Sequence, residues 1–167
     1  DILLIGGDLA YPNPTADNYE SRFLRVFEDA MPSPPNAPMY FEDHVSLQKP
    51  AIKEGTKLNE YDGPLAYVIP GNHDWYDGLG SFVKYILHRD WLGGWLMPQT
   101  KSYFVLRLPQ NFYIFGFDNG VEDDINPTQA AYFAKYANNN LDEQAKVILV
   151  QHDPNWVKDQ YSAERSD

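Results

Sequence analysis

Three short apolar runs constrain this chain most: Ile2-Leu-Leu-Ile5, Ala66-Tyr-Val-Ile69 and Val147-Ile-Leu-Val150. Each is too short for a helix and lacks the alternation of a half-solvated strand, so each reads as a strand covered on both faces in the middle of a sheet. Each also exits into polar residues that can hold a metal: Gly-Gly-Asp8, Pro-Gly-Asn72-His73 and Gln-His152. If the strands are parallel neighbours, their carboxyl ends converge on one edge of the sheet, where α/β proteins place their ligands. Glycines before Asp8 and Asn72 let the backbone turn sharply there.

The segment Gly71-Asn72-His73-Asp74 taken alone has two readings, a tight turn or a reactive centre. Gly, Asn and Asp all suit sharp reversals. Asp8 and Asn72 are ordinary turn residues when met singly, and His73 and His152 are ordinary loop histidines. Placed together after three buried strands, the four favour a site.

Helical spacing fills the intervals. Tyr19, Phe23, Val26, Phe27 and Ala30 share one face, with Asp17 and Glu20 at capping-box spacing and Pro32 as a stop. A proline-rich connection, 32–38, follows. Leu79, Phe82, Val83, Ile86 and Leu87 form a second face, and Trp91 to Met97 reads as a loop with aromatic anchors. The runs 102–108 and 112–117 flank Pro109-Gln-Asn111 as a hairpin. Asn126-Pro-Thr-Gln129 starts a helix, with Gln129 placed to close its cap, carrying Ala130, Phe133 and Ala137 inward and fraying at 138–140. Strands alternating with helices, plus one hairpin, predict an α/β or mixed layered fold.

With 167 residues, 43% of them hydrophobic, the chain can bury one good core, and a single domain over 1–167 is expected. It opens directly on a strand and ends on a polar tail, 158–167, as a piece of a longer protein would. No apolar run approaches the roughly 20 residues needed to span a bilayer, and no signal segment opens the chain. Localisation is therefore unreadable, and membrane or protein partners are unknown. The absence of cysteine leaves His, Asp, Glu and Asn as possible ligands, a set suited to hard or borderline ions. A net charge of −11 argues against nucleic acid as a partner. An acidic protein acting on phosphates needs cations in its site.

Gly7-Asp8-Leu-Ala-Tyr11, Gly71-Asn72-His73-Asp74 and a strand ending in His152 resemble, in order and spacing, the middle blocks of the calcineurin-like metallophosphoesterases. The resemblance implies an α-β-β-α sandwich, here truncated at both ends, with two divalent or mixed-valence metal ions (Mn, Fe or Zn) at the strand ends. It makes Asp8 the carboxylate bridging both ions, and Asn72 and His152 ligands of the second. It makes His73 a catalytic acid contacting the phosphate, with Asn72 also substrate-binding and Asp74 orienting and charging the imidazole. The activity implied is hydrolysis of a phosphoester by in-line attack of a metal-bridging hydroxide. The family's opening Asp-any-His and closing Gly-His-any-His blocks are absent, so residues 1–167 are expected to bind about one ion weakly and to be a poor catalyst.

Tyr11 has two readings. Purple acid phosphatases, a related branch, look similar there and use the tyrosine as a metal ligand, whereas the favoured reading is a loop tyrosine packed on the sheet edge. Glu122-Asp-Asp124 reads as a solvated acidic loop, His44 as loop or lid, and His88 as a helix end. Trp75 and Tyr76 either shape a substrate pocket or pack under the loop. The rival function is a noncatalytic scaffold of the same fold that binds proteins.

Overall fold

The computed structural model describes residues 1–34, 61–120 and 124–153. His44, Glu122, Asp123 and the tail 158–167 lie outside the described residues, as does most of the proline-rich connection. The chain has mixed α/β content built on two small mixed sheets. Among the described residues no helix is long and apolar enough to cross a membrane.

The first two apolar runs pair as expected. Strand β1 (Ile2–Ile5) lies parallel to β2 (Leu65–Val68), in register from Ile2 with Leu65 to Ile5 with Val68. The Trp91 to Met97 stretch is a tight antiparallel pair rather than a loop: β3 (Trp91–Leu92) meets β4 (Trp95–Leu96), and β4 continues the sheet beside β2. The aromatic anchoring holds, since Trp95 meets the ring of Phe27 edge-on at 5.7 Å.

The third run does not join that sheet. Strands β5 (Phe104–Leu108) and β6 (Phe112–Gly116) form the expected hairpin, and β7 (Lys146–Val150) lies parallel to β6 in this second sheet, ordered β5-β6-β7. Nor is the run covered on both faces: Val147, Ile148 and Leu149 are 43%, 45% and 61% exposed. Ile2 of β1 is exposed too. Among the described residues β1 and β7 are outer strands, and of the three runs only β2 is internal.

Helix α1 covers residues 16–30, and its central Tyr19–Leu24 is wound as a π-helix. The wider π turn shifts the inward phase. Tyr19, Phe23 and Leu24 are consequently buried, whereas Val26, expected on the same face, is exposed. The cap is Thr15, whose Oγ1 accepts from Asn18 N at 3.3 Å; Glu20 pairs with Arg25 instead of closing a capping box. Helix α2, residues 80–87, buries Phe82, Ile86 and Leu87 as its spacing predicts. Helix α3 (Pro127–Asn140) has the expected Asn126 cap, accepting from Gln129 N at 2.9 Å. It remains helical through Asn140, whose carbonyl accepts from the Tyr113 hydroxyl at 3.1 Å.

Apolar side chains gather in three clusters. One joins α1 and α2 to the first sheet around Tyr19, Phe23, Val68 and Phe82. A second, around Tyr67, Ile69, Phe104 and Ile114, joins the two sheets. The third joins the second sheet to α3 through Tyr113, Phe115 and Phe133. Because β1, β2, β6 and β7 are linked by parallel pairings within their sheets, the exits of β1 and β2 share one edge, as do those of β6 and β7.

Candidate metal and phosphate site

The exits of β1, β2 and β7 come together. His152 Nε2 lies 3.4 Å from Asp8 Oδ1, and the same oxygen accepts from the His73 backbone N–H at 3.1 Å. Asp8 has a positive φ of 55°, a conformation costly for a non-glycine residue and held here by its surroundings. Gly71 is required by the close approach: a Cβ there would overlap Asp8 Oδ1 and come within 2.8 Å of His152 Cε1.

The tautomer of His152 follows from its other nitrogen. Nδ1 sits 2.6 Å from the Gly6 carbonyl, which can only accept, so Nδ1 carries the proton. In the neutral imidazole, Nε2 then turns a lone pair toward a carboxylate oxygen. Two facing lone pairs repel unless a proton or a cation lies between them. Fixing a histidine through the nitrogen opposite the ligating one is how metal sites orient this side chain.

Asn72 is exposed, and its backbone carbonyl accepts from Trp75 N at 3.2 Å. His73 is half-buried, with Nδ1 2.6 Å from the Pro12 carbonyl. By the same reasoning Nδ1–H donates to Pro12, leaving Nε2 as the nitrogen free to exchange a proton. The rings of Tyr11 and Tyr76 flank the imidazole at 4.4 and 4.7 Å, and both tyrosines are exposed. Tyr11 thus packs on His73, in keeping with a loop tyrosine.

Asp74 serves a different purpose from the one expected. It is fully buried, and it accepts from Leu9 N at 3.3 Å, Gly71 N at 2.8 Å and the Tyr19 hydroxyl at 2.8 Å. Those bonds tie the loop after β1, the loop after β2 and α1 to one carboxylate. The orienting contact on the His73 ring comes from Pro12 instead. Burial and the adjacent Asp74 carboxylate push the Tyr19 hydroxyl far above its ordinary pKa, so Tyr19 remains a donor.

A fourth strand exit, after β6, carries residues that sequence reasoning missed. Asp118 is buried; its Oδ1 accepts from Trp75 Nε1 at 2.8 Å and its Oδ2 from the Ser102 hydroxyl. Its backbone N–H and carbonyl are both paired with the Gln129 side chain, at 2.8 and 2.9 Å, so Gln129 holds this loop and does not close the α3 cap. Burial raises the Asp118 pKa above the ordinary carboxylate value, against the lowering effect of Ser102 and Trp75. The sequence signal was present, since Phe112-Tyr-Ile-Phe-Gly116 also runs into an acid, but it was read as half of a hairpin rather than as a strand ending at the site.

Asp8 and His152 are the convergent donors, and Asn72 directly precedes His73, whose backbone N–H reaches Asp8. Among the described residues no group of three or more His, Cys, Asp or Glu gathers at metal-binding spacing. The Asp8 carboxylate and the His152 imidazole are a pair of groups that could hold a cation between them. No protein-family model, curated protein or solved structure matches the chain.

Proposed function

We propose that this chain belongs to the catalytic domain of a calcineurin-like metallophosphoesterase and takes part in metal-dependent hydrolysis of phosphoesters. The observation that carries this reading is the meeting of Asp8 and His152, from strands of different sheets, under the Gly71–His73 loop. The three apolar clusters, helix to sheet, sheet to sheet and sheet to helix, support the finer α-β-β-α sandwich.

In this reading Asp8, His152 and Asn72 hold one ion. When bound, such ions supply positive charge that offsets a phosphate ester and lowers the pKa of a water. The chain's own residues do the rest. Gly6 fixes the His152 tautomer, and the His73 N–H fixes one oxygen of Asp8. Pro12 holds Nδ1 of His73, so a proton on Nε2 is available for the leaving oxygen of the ester. Tyr11 and Tyr76 restrict the imidazole to the space between their rings.

Binding and turnover are separable by substitution. In calorimetric titration with manganese, His152→Ala is expected to lose more than about tenfold in affinity, as befits a ligand, whereas His73→Ala is expected to bind as wild type does. On an aryl phosphate with manganese, His73→Ala should lower turnover by about 100-fold or more, and chelator should abolish it. The absence of chelator-sensitive turnover by the full-length protein on mono- or diesters would favour the scaffold reading.

A further inference from the structure

Beside the candidate site lies a cavity of about 340 Å³ whose lining includes Trp75, Asp118, Asn119, Gly120, Asp124 and Asn126. It adjoins the Gly71 loop: a Cβ on Gly120 would sit 2.9 Å from the Gly71 carbonyl oxygen and 2.6 Å from Trp75 Cδ1. Asn119 is only 4% exposed, and its Oδ1 is buried without a hydrogen-bond partner among the described residues. A buried acceptor left unpaired is costly and is rare enough to point to something absent.

The chemistry of the walls selects the missing group. Asn126 Oδ1 and Asp124 Oδ1 already act as acceptors, toward Gln129 N and Ile125 N. The Trp75 indole N–H is committed to Asp118. Among the described residues no Lys, Arg or His lines the cavity, so an anion would meet two carboxylates and no compensating charge from them. A donor is wanted, and a positive one is favoured by the acids and by the aromatic wall.

We propose that this cavity is a binding site for a small ammonium-bearing group, which donates an N–H to Asn119 Oδ1 and sets its charge against Asp118 and Asp124. The site stands independently of the phosphoesterase reading, because neither a metal nor a phosphate enters it. Burial penalises the Asp118 carboxylate, and a neighbouring cation relieves that penalty.

The test is a titration of the protein, without metal or phosphate, with ethylammonium chloride at constant ionic strength. The indole N–H resonance of Trp75, assigned with Trp75→Phe, provides the readout. A saturable shift is expected with ethylammonium, a much weaker one with ethanol, and none with sodium acetate. Asn119→Leu, nearly isosteric, should bind ethylammonium about tenfold or more weakly. If that variant fails to fold, Asn119→Asp decides: it keeps the acceptor and adds charge, so it should bind more tightly than wild type. No saturable shift, equal binding of ethanol, an unchanged affinity in a folded Asn119→Leu, or weaker binding by Asn119→Asp would each overturn the proposal.

Discussion

Asp74 shows how neighbouring residues in a motif can part company in space. His73 and Asp74 stand together in the sequence, but Asp74 opens a 3₁₀ turn, Asp74–Asp77. Successive side chains in a helical turn point in different directions, so one residue faces the site and the next faces inward. The buried carboxylate survives because three donors reach it, and Tyr19 supplies the only one of those from a side chain. Tyr19→Phe removes that donor while keeping the ring. The expected loss is about 1.5–3 kcal/mol of stability, the range for hydrogen bonds to charged groups, read as a lower midpoint in urea unfolding with an unchanged m-value. A loss below about 0.5 kcal/mol would mean that the two backbone donors alone carry Asp74.

At the scale of elements, helix and hairpin existence was legible because apolar spacing is a local property. Phe82, Ile86 and Leu87 are buried as their apolar spacing predicts, although Val83–Leu87 ends the helix with a π turn. The spacing rule failed at Val26, which is exposed in the regular turn Arg25–Ala30, because the π-wound Tyr19–Leu24 before it rotates the residues that follow, and nothing in that segment's sequence announces it. Cap chemistry was half legible. Asn126 is the expected cap, whereas α1 is capped by Thr15 and not by Asp17, an equally good capping type two residues on that also has Glu20 at capping-box spacing. Thr15→Ala should therefore cost about 1 kcal/mol in thermal or denaturant unfolding, and Asp17→Ala less than that. The reverse order would relocate the start of α1. The candidate site was legible as a set of strand exits, Asp8, the Gly71 loop and His152. The partition of those strands between two sheets was not, because parallel pairing joins residues far apart in sequence and leaves no local mark. The β6 exit, with Asp118 and Asn119, does have a local signal, an apolar run into an acid, but the same run is also half of a hairpin, and its parallel partner β7 lies far along the chain.

Across the whole molecule, burial and charge set the response to pH and salt. Asp118 has its pKa raised in the folded protein, so folding favours its protonated form. Its contribution to stability is complete below the ordinary carboxylate pKa and is lost as pH rises through the raised value. Asp118→Asn does not titrate there. The melting temperature of wild type should accordingly fall relative to that variant as pH rises above the ordinary carboxylate pKa of about 4. A constant difference across that rise would show that the carboxyl is not destabilised by burial. The exposed strand β7 bears on a different property, the shelf life of the purified chain. Among the described residues no strand pairs with its outer row of peptide groups, lined by Val147, Ile148 and Leu149; such a row is a seed on which another strand can grow, and the net charge of −11 keeps two such seeds apart in solution. Dissolved salt shortens the reach of that repulsion from about 30 Å at 0.01 M to about 8 Å at 0.15 M. Stored samples of residues 1–167 should thus scatter more light with time in the saltier buffer, and Leu149→Lys, which plants a charge on the seed itself, should keep them clear.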